Sequence, residues 1–272
     1  MGGSSDFVAA SFNVHAGVDG WGRPFDWLEA SRALDADVLV LQEAWQPDEG
    51  PGVAETIATK LGYERYERSL ARGRVALPDP RADQRWMRSL DWRSVNHSIY
   101  LDSELPLSRH VTASARFQSA PTGSWNVAVL TRLPVVRTDV IELGRLWRDR
   151  VRRAALVVWV DVAGREVAIV GTHMTHLTYG SPLHYRRLAR ALDRVVGHGP
   201  ALMAGDMNLW GPPVRVFLRG WHRAVRGKTW PAWRPHSQVD HIVVRGLSVR
   251  SGEVRPDAGS DHRPIVARVG LL

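Results

Sequence analysis

The chain has 272 residues, 44% hydrophobic and 24% charged, with no cysteine. That composition is ordinary for a folded globular domain, and the missing cysteine excludes a disulfide scaffold, thiol catalysis, zinc–cysteine sites and iron–sulfur clusters. Lys and Arg number 36 against 28 Asp and Glu, a net +8, and Lys60 and Lys228 are the only lysines. An arginine skew of this kind suits phosphate-bearing partners, and it follows equally from a GC-rich coding sequence.

No repeat or low-complexity tract interrupts the chain. Residues 1–6 read as a disordered tip or a cloning remnant. Residues 7–14 read as a strand, 25–34 as a short helix, 37–42 as an apolar strand and 53–61 as a helix closed by Gly62. Residues 65–123 lack periodicity and carry Pro78, Pro80, Pro106 and Pro121 as breakers. So long an irregular stretch is expected to shape substrate choice. Strands resume at 126–131, 135–141, 154–160 and 166–172, the last two forming a hairpin across Ala163-Gly164. Pro182 opens a helix to Val196, 201–204 is a strand, and 214–218 is a helical turn or two. Strands at 239–244, 247–254 and 264–269 close the chain. Hairpins mixed with crossover helices argue for sheet packed on sheet, covered by helices, in a single domain over 1–272. No apolar run approaches the ~20 residues of a spanning helix, and no signal peptide is seen, so a cytoplasmic location is expected.

Polar residues gather where these apolar strands end. Asn13, Glu43, His173, and Asp206 with Asn208 each follow one, while Asp240-His241 and Asp261-His262 precede others. Each alone is equally a cap or a turn; seven coincidences of one kind are harder to dismiss. Carboxylates and an amide without cysteine suit a hard divalent cation such as Mg²⁺ or Mn²⁺. Histidines add donors for a phosphoryl oxygen, and Asp with Asn can hold and deprotonate a water. The sum is metal-assisted hydrolysis of a phosphate ester.

Six motifs carry a resemblance: Ser11-Phe-Asn13-Val-His15, Leu41-Gln-Glu43, Thr172-His173, Gly205-Asp206-Met-Asn208, Val239-Asp240-His241 and Ser260-Asp261-His262-Arg-Pro264. In this order and over this span the chain resembles the endonuclease/exonuclease/phosphatase superfamily, which includes deoxyribonuclease I, exonuclease III-type repair nucleases, inositol polyphosphate 5-phosphatases and neutral sphingomyelinases. The resemblance implies a four-layered α/β sandwich, two mixed β-sheets packed face to face with helices outside. It implies Glu43 as the principal metal ligand, with Asn13 and Asp261 completing the metal and its water shell. Asp206 would orient or deprotonate the attacking water, and Asn208 would position it. His262, oriented by Asp240, would donate to the phosphoryl oxygen, with His173 a second donor. His15 lies two residues beyond Asn13 on the same face and is a candidate pocket residue.

The motifs depart from the characterised branches. Gln42-Glu43-Ala44-Trp45 stands where repair nucleases carry Gln-Glu-Thr-Lys, and Asp261-His262-Arg263-Pro264 where they end in Asp-His-Cys-Pro. Residues 215–234 hold Arg215, Arg219, Arg223, Arg226, Lys228 and Arg234 and no acid, interleaved with Trp221, Trp230 and Trp233. Such a stretch can track a phosphate backbone while stacking bases, sit at a lipid headgroup surface, or be a solvated loop with its indoles packed inward. Trp21, Trp45, Trp125 and Trp210 lie near site loops and are candidates for a rim. A phosphodiesterase acting on nucleic acid is the leading expectation. A phospholipid or inositol-phosphate hydrolase is the alternative, and a non-catalytic binding protein on this scaffold the third.

Overall fold

The computed structural model describes residues 5–75, 99–102, 118–147, 149, 151–176 and 181–272. Among the described residues, thirteen strands form two mixed sheets. The first holds β1 (Asp6–Asn13), β2 (Val38–Pro47), β3 (Glu64–Val75), β4 (Ile99–Asp102), β5 (Thr122–Thr131), β12 (Leu247–Val254) and β13 (Ile265–Leu271), in the order β12-β13-β1-β2-β5-β3-β4. The second holds β6 (Val135–Gly144), β7 (Arg153–Val162), β8 (Arg165–His173), β9 (Ala201–Asp206), β10 (His222–Arg223) and β11 (Asp240–Arg245), in the order β10-β11-β9-β8-β7-β6.

Central strands are apolar on both faces because both faces are covered. In β2, Val38 and Val40 join Val127, Val158, Ile169 and Leu202 in the core between the sheets. Their neighbours Leu39 and Leu41 point outward to a second core with Ile57, carried by α2 (Val53–Leu61). On the opposite outer face Tyr185, Leu188 and Leu192 pack on Val157, Val170 and Met203, held there by α3 (Ser181–Val195). Helix α1 (Trp27–Arg32), capped by the Asp26 carboxylate accepting from the Glu29 amide, flanks α2, and α4 (Gly211–Phe217) flanks α3. Helix, sheet, sheet, helix is the four-layered sandwich expected from the sequence. Gly62, at φ 73°, ends α2 as anticipated.

Two expectations are corrected. Asp6 opens β1, opposite Gly270, so the proposed disordered tip of residues 1–6 does not extend to it; residues 1–4 lie outside the described residues. The aperiodic stretch begins with a 12-residue strand, β3, paired with β5 on one side and β4 on the other. Only Leu70, Gly73 and Val75 of its twelve residues are buried, at no regular two-residue spacing, so no hydrophobic period betrays it and its pairing on both sides does much to hold it. Residues 76–98 and 103–117 of that stretch, with Pro78, Pro80 and Pro106, lie outside the described residues.

One glycine sets the spacing of the strands that carry the site. Gly205 in β9, at φ 152°, faces Thr172 of β8, and a Cβ there would lie 1.9 Å from the Thr172 carbonyl oxygen. Gly205→Ala should therefore force β9 from β8 and destabilise by about 1–3 kcal/mol. The check is a lower urea midpoint at unchanged slope; an unshifted midpoint would show that the ladder yields freely.

Candidate active site

Strand direction explains why the polar residues meet. β1 runs parallel to β2, and β8 parallel to β9, so these strands deliver their C-terminal residues in pairs. β11 runs antiparallel to β9 and sets Asp240 beside Asp206, while His173 lies beside Asp206 on the other side. β13 runs antiparallel to β1, which brings the residues before it back to Asn13: the Ser260 hydroxyl donates to the Asn13 carbonyl at 2.7 Å. The two sheets then join across the core, where Asn13 Nδ2 donates to Glu43 at 3.2 Å and to Asp206 at 3.3 Å.

Glu43 does not follow its strand as the sequence suggests; it lies inside β2. The β2–β5 register slips between Leu41 and Ala44, and Glu43 sits in the slip at φ 56°. A bulge turns one side chain out of the alternation, and a non-glycine residue with positive φ is strained. Here the bulge places Glu43 Oε1 3.8 Å from His173 Nε2. Its second oxygen, Oε2, is buried and has no hydrogen-bond partner.

All eight residues singled out from the sequence belong to one connected group. His173 Nε2 stands 3.6 Å from Asp206. His262 Nδ1 meets Asp240 at 2.9 Å, and its Nε2 stands 3.8 Å from Asp206 and 4.0 Å from Asp261. The Asn208 amide donates to Asp206 Oδ1 at 2.8 Å, and its side chain donates to the Met174 carbonyl at 3.0 Å, which fixes the loop after β9. His15 is buried with Nδ1 3.6 Å from Asp261, and its amide donates to Asn13 Oδ1 at 3.0 Å. Asn13 therefore turns its nitrogen, not its oxygen, toward the two carboxylates. Asp206, Asp240 and His262 also offer three potential ligand atoms within 4.8 Å of one another.

Burial and mutual charge split the titrating groups. Asp206 is pushed up to about 7, first by burial and then by the Asp240 charge, against the pull of His262. Glu43 is raised, chiefly by burial and also by Asp261. Asp261 is lowered despite its burial, because His15, His262 and hydrogen bonds from Trp230 and Ser260 favour its charge. The two imidazoles diverge: burial, then the Arg153 charge, holds His173 well below the usual range, whereas Asp240 and Asp261 outweigh burial and hold His262 well above it. Arg153 is a residue the sequence reading missed. It is buried, its Nη1 donates to the His173 carbonyl at 3.2 Å and its Nε to Asp149 at 2.9 Å, and Thr175 completes the cluster on Asp149 at 2.7 Å. One arginine of the run Arg150, Arg152 and Arg153 before an apolar strand gave no signal of its own.

The family model of the Endonuclease/Exonuclease/phosphatase family matches residues 10–262. The chain belongs to that family. A UPF0294 protein of Vibrio cholerae serotype O1 is 30% identical over 118 residues, which cover 40% of this chain and 42% of that protein. The chain thus spans less than half the length of that curated relative. An endonuclease/exonuclease/phosphatase from Beutenbergia cavernae shares the fold with TM-score 0.61 and 20% identity, over 98% of this chain and 72% of that one. The human Nocturnin catalytic domain with bound sulfate does so with TM-score 0.62 and 16% identity, over 100% of this chain and 97% of that one.

In this endonuclease/exonuclease/phosphatase family member the other histidines separate cleanly. His241 is buried behind the site, with Nε2 2.8 Å from the Leu209 carbonyl, and burial pushes it down to about 4. His198, His222 and His236 are exposed. The tryptophans divide too: Trp45 is buried in the outer core and Trp221 under Arg245, while Trp21 and Trp233 pack together at 4.4 Å. Trp210 and Trp230 are exposed. Among the described residues no helix is long and apolar enough to cross a membrane.

Proposed function

We propose that the chain is a divalent-metal-dependent phosphodiesterase, using Mg²⁺ or Mn²⁺, that hydrolyses nucleic acid. The observation that carries the reading is Glu43 Oε2, a buried carboxylate oxygen without a donor, set among three further carboxylates. Buried polar atoms are rarely left without a partner, and hard cations take oxygen ligands of this kind. Glu43 and Asp261 would hold the cation, with Asn13 beside them. The Asp206–Asp240–His262 group suits a cation less well, because His262 is already engaged by Asp240 at 2.9 Å. When bound, the cation supplies positive charge against a phosphoryl oxygen and lowers the pKa of water.

The remaining work falls to the chain. Asp206, with its carboxyl near 7 before a cation is added, is matched to taking a proton from water at neutral pH. The Asn208 amide keeps that carboxylate in place. His262 enters as the imidazolium and directs Nε2–H at the developing phosphoryl charge, its tautomer fixed by Asp240 at Nδ1. His173 enters neutral and donates from Nε2, with Arg153 anchoring its backbone. Nucleic acid as the substrate is supported by residues 207–239, which contain no acid and six basic residues.

The test is hydrolysis of bis(p-nitrophenyl) phosphate with Mg²⁺, lost in EDTA and restored by Mg²⁺ or Mn²⁺. No turnover with either ion would overturn the reading. DNA or RNA binding should weaken with salt by roughly 0.7–0.9 log units per log salt for each phosphate contact. Replacing the exposed Arg226, Lys228 and Arg234 by Ala should flatten that slope. Hydrolysis of a phosphoinositide or sphingomyelin with none of nucleic acid would instead favour the lipid alternative.

A further inference from the structure

Four polar side chains behind the site, Asp149, Arg153, Thr175 and His184, are buried. They come from separate parts of the chain. Asp149 lies between β6 and β7, Arg153 opens β7, Thr175 stands just past β8 and His184 lies on α3. Arg153 grips Asp149 with two nitrogens, Nε at 2.9 Å from Oδ2 and Nη2 at 3.4 Å from Oδ1. The Thr175 hydroxyl stands 2.7 Å from Asp149 Oδ2 and 2.5 Å from His184 Nδ1.

Proton counting gives these bonds one direction. Burial raises the Asp149 carboxyl, but the Arg153 charge and hydrogen bonds from Arg153, Thr175 and Val151 outweigh it and hold it below the usual range. Asp149 is therefore an acceptor only, and Thr175 gives it the single hydroxyl proton. Burial, then the Arg187 charge, pushes His184 down to about 4, so its ring is neutral and donates from Nδ1 to Thr175. Its Nε2 is then a bare acceptor, and that atom is buried without a partner. The donors converge on Asp149, and Arg153 keeps Nη1 for the His173 carbonyl at 3.2 Å.

That carbonyl is where the strand needs holding. The last registered pair of the β7–β8 ladder is Ala155–Thr172, so His173 lies one residue beyond it, and the Arg153 guanidinium takes its carbonyl. On the other side His173 is registered to Asp206 of β9. Its Nε2 stands 3.6 Å from Asp206 and 3.8 Å from Glu43. A buried ion pair is a poor source of stability, since taking two charges out of water costs about as much as their attraction contributes. What it supplies is fixed geometry, and one of its bonds ends on a residue of the site.

We propose that Asp149 and Arg153 are the positioning residues of His173: Asp149 aims the guanidinium, the guanidinium fixes the backbone that ends β8, and the imidazole is held where Nε2 can meet a phosphoryl oxygen. Thr175 and His184 complete the bonding of Asp149 and tie α3 to it. The inference rests on the phosphodiesterase reading and adds residues that act through His173 without touching substrate.

The test replaces both charges at once, Asp149→Leu with Arg153→Met, so that neither is left buried alone. The thermal midpoint should stay level or rise. On bis(p-nitrophenyl) phosphate with Mg²⁺, kcat should fall roughly 10- to 100-fold at little-changed KM, the mark of a displaced catalytic group. Arg153→Lys keeps both charges but exchanges the fork for a compact head that does not bridge Asp149 and the His173 carbonyl, and its kcat should fall in between. A readout without turnover is the Hε1 NMR resonance of His173, identified by its loss in His173→Ala, which should move in both variants. Unchanged kcat in the paired replacement overturns the proposal. So does unreduced kcat in Arg153→Lys, which carries the test should the paired replacement not fold. A lowered midpoint with an unmoved resonance would assign the pair to the fold alone. No hydrolysis by the unmodified protein would remove the phosphodiesterase reading, and the resonance would still decide whether the pair sets the ring.

Discussion

Glu43→Gln should lower kcat by several orders of magnitude while leaving the fold intact or firmer. The substitution keeps the shape of the side chain and removes the charge that would hold a cation. Its two consequences have opposite signs. In the metal-free protein the folded-state pKa of Glu43 is raised, chiefly by burial, so its charge opposes folding above the ordinary carboxylate range. A neutral amide removes that opposition, and the thermal midpoint without metal should stay level or rise. With Mg²⁺ the unmodified protein should gain stability by mass action, and the variant should lose most of that gain. A general packing defect would lower both midpoints together. Unchanged turnover with an unchanged Mg²⁺-dependent shift in midpoint would remove Glu43 from the metal site.

Much of this arrangement was legible because the strands are apolar on both faces, so each polar residue at a strand end stood out. Asp206 and His173 announce themselves by ending the runs 201–205 and 167–172. What their spacing could not say is that parallel pairing of β8 with β9 puts them side by side, or that Asn13 reaches Asp206 from the other sheet. Glu43 was found, but its bulge was not. A register slip is a property of two strands, and its partner β5 lies some 80 positions away in the chain. β3 escaped for the opposite reason: its backbone is paired on both sides while only Leu70, Gly73 and Val75 of its twelve residues are buried, so it has structure without a hydrophobic period. Arg153, with its bond to the His173 carbonyl, makes a tertiary pairing by a residue whose type fits the surface equally well. The basic segment was read as one feature, and the structure divides it. Trp221 is core, Arg223 is half-buried against Gln238 at 3.5 Å, and Arg226, Lys228, Trp230 and Arg234 face outward.

His262→Ala should cost about 3–4 kcal/mol in transition-state stabilisation, a loss of several hundred-fold in kcat, by analogy with other positioned donors. Asp240→Asn should cost less. An amide at 240 can still meet Nδ1, but it no longer favours the imidazolium or fixes which nitrogen carries the proton toward Asp206. The pH dependence separates this role from a structural one. The folded-state pKa of His262 lies well above 6.5, raised by Asp240 and Asp261 against burial. Its stabilisation is therefore fully present below the unfolded value of about 6.5 and is lost as pH rises through the raised folded value. Removing the ring should reduce the stability of the metal-free protein most at low pH and progressively less as pH rises. His173→Ala should not reproduce that trend, because His173 is held neutral by burial and Arg153. The measurement is kcat for each variant on bis(p-nitrophenyl) phosphate, paired with unfolding midpoints of the metal-free proteins across that pH range. If His262→Ala keeps near-normal kcat while His173→Ala abolishes it, the principal phosphoryl donor is the neutral imidazole of His173, and the charge concentrated on His262 serves the fold.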